Sequence, residues 1–92
     1  ESLELPDTVE ILDEKAFFKC MYLTKVTLPE SIRRIEKWVF HGCARLQVLE
    51  IRHDPEYIGE WIINKAARIR CYQGSKVDAY CQESGFTVEY IE

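Results

Sequence analysis

Residues 5–23 read LPDTVEILDEKAFFKCMYL, and residues 28–46 read LPESIRRIEKWVFHGCARL. The second stretch repeats the first position by position. Leu5-Pro6 recurs as Leu28-Pro29, Val9 as Ile32, Leu12 as Ile35, Ala16-Phe17 as Val39-Phe40, Cys20 as Cys43 and Leu23 as Leu46. Just upstream, Leu3 recurs as Val26. Apolar residues, a proline and a cysteine kept in one register mark an internal repeat, and that decides the fold before any local propensity does. A third, more worn copy follows. Leu49 and Ile51 take the places of Val26 and Leu28, Ile58 continues Leu12 and Ile35, and Ile62-Ile63 continue Val39-Phe40. At the same offset Ala66 stands where Cys43 stood and Ile69 where Leu46 stood, while Arg52-His53-Asp54-Pro55 reads as a turn.

A unit with an apolar stripe that it cannot bury alone gains a continuous core by stacking on its neighbours, so the fold expected is an α/β solenoid. Leu3-Glu4-Leu5, Val26-Thr27-Leu28 and Leu49-Glu50-Ile51 alternate as half-buried strands do. Pro6 and Pro29 stop the first two, having no N–H to donate. Asp13 to Cys20 and Glu36 to Cys43 read as short helical turns with Ala16, Phe17 and Cys20 inward. The units are drawn at about 1–23, 24–46 and 47–69, with a different element over 70–92. There Ile69 to Tyr72 alternates as a strand, Ser75 and Asp78 form an approximate capping box, Lys76 to Ser84 is a helix and Gly85 ends it. Residues 86–91 read as a closing strand, so the pair caps the solenoid's end.

The pattern Leu-Pro-x-x-Val/Ile-x-x-Leu/Ile-x-x-x-Ala/Val-Phe-x-x-Cys-x-x-Leu resembles the BspA-like leucine-rich repeat of bacterial surface proteins. The tail from Cys71 to Tyr80, followed by Gly85 and a short strand, is similar to the cap that ends such arrays. The resemblance implies a secreted or cell-surface, non-catalytic module for protein binding or adhesion. The alternatives are a structural cap or spacer of a longer array and, more remotely, a Cys/His hydrolase.

Composition agrees with a globular chain. Its 92 residues are 47% hydrophobic and 30% charged, too apolar for disorder. With 16 acids against 12 Lys and Arg, the net charge of −4 argues against a phosphate-backbone binder. No apolar run approaches the roughly 18–20 residues that span a bilayer. The chain opens at Glu1 with neither Met nor signal peptide, and is expected to be a piece of a longer protein.

Four cysteines invite a disulfide or zinc reading. Cys20 and Cys43 hold equivalent slots and read as a buried ladder with Phe17, Phe40, Leu23 and Leu46. Cys71 and Cys81 straddle the cap, and a disulfide between them is left open. No Cys-x-x-Cys pair points to zinc, and no cofactor is expected. His41 lies two places from Cys43 but reads as a variable, outward residue that lacks an orienting third group, and His53 reads as solvated. Asp13-Glu14 and the pair Glu56 and Glu60 read as solvated turns rather than an acid–base pair.

Two surfaces remain as candidate binding sites. Trp38 and Trp61 share a slot on adjacent coils with Lys15 in the first, an arrangement suited to a peptide or a sugar ring, unless both rings fold down over the core. The strand face presents Glu4, Thr27 and Glu50 outward. The first coil has no cap, so residues 1–23 are expected either to self-associate weakly or to fray. Amide exchange checks this: uniformly high protection from residue 3 to the cap, in a monomer, would refute both outcomes.

Overall fold

Strands of two to four residues are too short to form a stable sheet by themselves; repeated once per coil and stacked, they become parallel ladders. The computed structural model describes residues 2–92. Glu1, the first residue of the first unit, lies outside them. One parallel sheet is built from β1 (Ser2–Glu4), β3 (Lys25–Thr27), β5 (Val48–Glu50), β7 (Arg68–Cys71) and β8 (Thr87–Tyr90), in the order β1-β3-β5-β7-β8. A second is built from β2 (Ile11–Leu12), β4 (Arg34–Ile35) and β6 (Tyr57–Ile58), in the order β2-β4-β6. Val26 pairs Leu3 on one side and Leu49 on the other, and Ile35 lies between Leu12 and Ile58. The α/β repeat solenoid read from the period is the observed architecture.

The core lies between these walls. Val26, Ile35, Val39, Phe40, Leu49, Ile62, Ile63 and Ile69 are fully buried, and a Phe→Ala change at such a position costs about 3–5 kcal/mol. Phe17 stacks on Phe40 with centroids 5.3 Å apart and planes 7° from parallel. Phe40, Cys43, Leu23 and Leu46 are buried, whereas Phe17 and Cys20 are only half-buried, packed against the core from the first coil. The physical reason is that each slot is closed by the coils above and below, and the first coil has a described neighbour on one side.

Three local readings need correction. Asp13 to Cys20 is a run of tight turns rather than a helical turn. The amides of Ala16, Phe18 and Cys20 bond the carbonyls three places back, while those of Lys15, Phe17 and Lys19 cross to Lys37, Val39 and His41 of the next coil. Glu36 to Cys43 follows the same path, with Trp38 and Phe40 crossing to Glu60 and Ile62. With every second amide given to the next coil, the bonds four places back that define a helix are not formed. Ala16, expected inward, is accordingly exposed. The third coil is also shorter. The ladder step that carries Val26 to Leu49 carries Leu49 on to Ile69, three places short of the full period. Ile69 therefore continues Val26 and Leu49 rather than Leu46, and Ala67 is the buried alanine while Ala66 is exposed. The loss falls after Ile63, which still pairs Phe40 at the full offset.

The end is closed by a crossover from β7 through α1 (Lys76–Ser84) to β8, which pairs β7 in parallel. Ser75 caps α1 by accepting from the Asp78 amide at 3.1 Å, and Gly85 ends it at φ 78°. Asp54 of the preceding coil accepts from the Lys76 amide at 3.0 Å, so the repeat itself supplies an orphan amide's partner. Asp78 accepts from the Gly74 amide at 2.9 Å, which holds its carboxyl below the usual range. Val77 and Cys81 are buried against the core.

Gly59 marks the closest approach between coils: a Cβ there would lie 2.6 Å from the Lys37 amide nitrogen and 2.9 Å from the Glu36 carbonyl carbon. Backbone cannot move aside without breaking the bond from the Gly59 amide to Ile35 O at 2.7 Å. Gly59→Ala is expected to cost about 2–3 kcal/mol by overpacking. Gly74→Ala, with nothing within 4 Å but a φ of 82°, is expected to cost about 1 kcal/mol. Denaturant melts of the two variants check the ranking.

Candidate functional site

Between the two ladders each coil turns through a tight edge, and the backbone there has one recurring peculiarity. Lys15, Trp38 and Trp61, one per coil in the same slot, have φ of 60°, 64° and 55°. The left-handed region disfavours any residue with a Cβ by roughly 1–2 kcal/mol. Two of these amides serve the ladder: that of Lys15 donates to Lys37 O at 3.3 Å and that of Trp38 to Glu60 O at 3.2 Å. The ladder does not dictate the side chain, and glycine or asparagine would meet the need with less strain.

Those three residues come together with two others. Lys15, Phe18, Trp38, His41 and Trp61 line an open groove of about 430 Å³. Phe18 stacks on His41 with centroids 6.1 Å apart, and His41 meets Trp61 edge-on at 6.4 Å. The Lys15 ammonium stands 5.0 Å from the Trp38 ring centre and 5.5 Å from that of Phe18. Trp61 is 45% exposed, so it does not fold down over the core; Trp38 is half-buried. On its far side Trp61, with Glu60, Lys65, Ser84 and Phe86, borders a second hollow of about 240 Å³ against the cap.

Phe18 and His41 are groove residues that the sequence reading misses. The signal exists: they stand one full period apart, in the slot three places after Lys15 and Trp38. His41, expected to face outward, is half-buried and bridges the rings of adjacent coils. Its Nδ1 is buried without a hydrogen-bond partner. It does not address the sulfur of Cys43, which lies in the core and donates to Phe17 O at 3.1 Å. His53, expected to be solvated, is half-buried: Nε2 meets the Ile32 carbonyl at 2.7 Å, pinning the turn before Asp54 to the coil below.

The strand face is different from what alternation implies. Glu4, Thr27, Glu50, Arg70 and Glu89 form one cross-strand row. Glu4 and Thr27 line a shallow hollow of about 250 Å³ beside Pro29. Glu50, expected to face outward for a ligand, is only 5% exposed. Arg70 donates to it at 2.8 Å and to Glu89 at 2.8 Å, and Arg52 closes over its other oxygen. Burial alone would push the Glu50 carboxyl up, but hydrogen bonds from Arg52 and Arg70 outweigh it and hold it below its ordinary range. Its acceptor capacity is used within the fold. Glu56 is likewise paired, sharing Arg33 with Glu10 at 3.1 and 2.9 Å.

Among the described residues no group of three or more His, Cys, Asp or Glu side chains could hold a metal ion. Nor is any helix long and apolar enough to cross a membrane.

Compared with known proteins, the chain matches the family model for the BspA type Leucine rich repeat region, in six copies over residues 1–84. The match runs through α1 and stops short of β8. Neither the curated proteins nor the solved structures give a match.

The thiols test whether a nucleophile has been overlooked. All four cysteines are free, with Cys43, Cys71 and Cys81 buried and Cys20 partly exposed. Burial pushes the thiols of Cys43 and Cys71 up, and that of Cys81 up to about 12. In the native protein Cys20 is expected to react first with a thiol reagent, and the other three roughly a hundredfold or more slowly, since they wait on opening of the fold. Rapid labelling of native Cys43 by iodoacetamide would overturn that order.

Proposed function

Because the chain belongs to the BspA-type leucine-rich repeat family over residues 1–84, we propose that it is a non-catalytic interaction module. It would contact a protein or other adhesion ligand through the aromatic groove on its turn edge. It would work in a secreted or bacterial cell-surface protein, where further coils add contacts and avidity. The single observation that carries the choice of surface is the pair Trp38 and Trp61, held at left-handed φ where folding needs no tryptophan. Backbone strain kept at one slot in successive coils, under large and partly exposed aromatics, is a feature of binding sites. The strand face favours this choice by contrast, since Glu50 and Arg70 there are tied to each other. The buried, carbonyl-bonded Cys43 speaks against a Cys/His hydrolase, and the family is generally non-catalytic.

Trp61→Asn separates recognition from stability. Asparagine tolerates positive φ, so the relieved strain of roughly 1 kcal/mol offsets part of the roughly 2–3 kcal/mol lost with the covered half of a side chain that is 45% exposed. The melting temperature is expected to fall by about 5–15 °C with unfolding still cooperative. Capture of ligands selected from a peptide display library or glycan array is expected to fall by about tenfold or more. Binding that survives the substitution would favour a structural spacer, and a loss of more than about 3 kcal/mol would make Trp61 a core residue.

A further inference from the structure

The charges of this chain are distributed unevenly among its faces. On the two sheet faces the arginines are paired with acids, Arg33 with Glu10 and Glu56, Arg34 with Glu36, Arg52 and Arg70 with Glu50, and Arg68 with Glu89, and Lys25 of β3 is the lysine there. The turn edge collects lysines instead. The Lys19 ammonium lies 5.3 Å from the Phe18 ring centre, that of Lys37 5.0 Å from Trp38 and that of Lys65 5.3 Å from Trp61, beside Lys15 already described. Of these four, among the described residues, only Lys37 has a carboxylate within ion-pair distance, Glu14 at 4.0 Å. A chain of net charge −4 thus keeps the ammonium groups of Lys15, Lys19 and Lys65 against one aromatic surface with no carboxylate in ion-pair distance among the described residues.

The groove's polar equipment is also one-sided. Its lining side chains offer ammonium and indole donors, one imidazole that can accept, and no carboxylate or amide oxygen. The nearby Asn64 is occupied, its Oδ1 accepting from the Gly42 amide at 2.9 Å. A neutral sugar has as many hydroxyl donors as hydroxyl oxygens and would find His41 as the one side-chain acceptor here. A ligand rich in acceptors, with an apolar group to displace water from the rings, matches what is present. Coils in a parallel ladder stand about 4.8 Å apart, so the slots of Lys15, Trp38 and Trp61 span roughly 10 Å, the reach of about three extended residues at about 3.3 Å each.

Resting on the reading that this edge is the contact surface, we infer that the groove takes an extended acidic peptide segment. One large apolar side chain sits against Trp38 and Trp61, and flanking carboxylates meet the ammonium groups of Lys15 and Lys65.

The molecule carries its own reporter, because its only two tryptophans are both in the groove. The 92-residue chain is titrated with blocked peptides of the patterns acid–Phe–acid, Lys–Phe–Lys and acid–Ala–acid while tryptophan emission is followed. The first is expected to give a saturable change, and the other two to bind about tenfold or more weakly. Raising the salt from about 50 to 500 mM, or making the exposed changes Lys15→Gln and Lys65→Gln, is expected to weaken the first peptide several-fold. Circular dichroism confirms that both variants are folded. Equal binding of the acidic and basic peptides would overturn the acidic assignment and leave the groove reading standing. Binding to a glycan array that depends on Trp61, with no response to any peptide, would overturn the peptide class alone. No saturable change with any probe, together with a selected ligand indifferent to Trp61→Asn, would overturn both readings.

Discussion

The core side chains of the repeats stack on their equivalents one coil away, so the parallel register between coils is the constraint on which the rest depends. It stacks Leu3 on Val26 and Val26 on Leu49, Leu12 on Ile35, and Phe17 on Phe40. A register that stacks like on like suits apolar residues and punishes charges, which would sit at coil spacing from their own kind. The sequence answers by alternating sign: Glu10, Arg33, Glu56 on one wall, and Glu50, Arg70, Glu89 on another. The exposed pairs of Arg33 contribute about 0–1 kcal/mol each, so their role is to avoid a penalty more than to add stability, whereas Glu50 is buried and needs its arginines. The arginine fork is suited to it, since one guanidinium reaches carboxylates on both neighbouring coils.

How much of this was legible follows from what a fixed period can carry. Wherever the chain keeps the full period, each slot's partner is readable, down to Phe40 beside Ile63. The reading fails where the period changes. Ala66 and Ile69 happen to be apolar at the old offset, so pattern alone cannot reveal that residues are missing after Ile63. Alternation can: Arg68-Ile69-Arg70 copies Val48-Leu49-Glu50 in its inward residue, and the strand must pair as a unit. Glu50 escapes for the same reason. Its burial depends on Arg70, which reaches it only in the shortened register, and on Arg52 folding back along its own strand. The groove is half legible. The slot of Lys15, Trp38 and Trp61 is visible as a period; that Phe18 and His41 join it depends on the tight turns, where local spacing suggests a helical turn instead.

The turn edge separates what backbone requires from what side chain provides. The amides of Lys15 and Trp38 bond the next coil from the left-handed region, which Trp61 in the same slot also adopts. Glycine is the residue that accepts this conformation without penalty, and the chain uses it at Gly42, where a Cβ would lie 2.7 Å from the Lys19 side chain. At the neighbouring slot it uses tryptophan twice. The two positions lie on the same turns and face similar backbone demands, so the difference reflects the side chain. Gly42 lets coils approach; Trp38 and Trp61 hold a hydrophobic surface outward despite the strain.

The two ends of the groove then differ for a structural reason. Beyond Trp61 the next element is not another coil: α1 and β8 take its place, and Phe86 and Ser84 wall off the second hollow. The cap is fixed to the last coil by Asp54 on the α1 amides and by the Tyr80 hydroxyl donating to Gly59 O at 2.8 Å. Burial pushes the Tyr80 phenol up to about 12, so this bond persists across the ordinary pH range. At the other end Lys15 stands on the first coil, where Met21 and Tyr22 are more than half exposed and Leu3, Val9 and Phe17 are only partly covered. A ligand lying across the slots would therefore meet a firm wall at the cap and a soft boundary at the first coil. Among the described residues of a nearest-neighbour stack, local stability falls toward the first coil, which has one described neighbour. The tryptophans stand on the better-supported side of that gradient, where a contact surface is held in shape before a partner arrives.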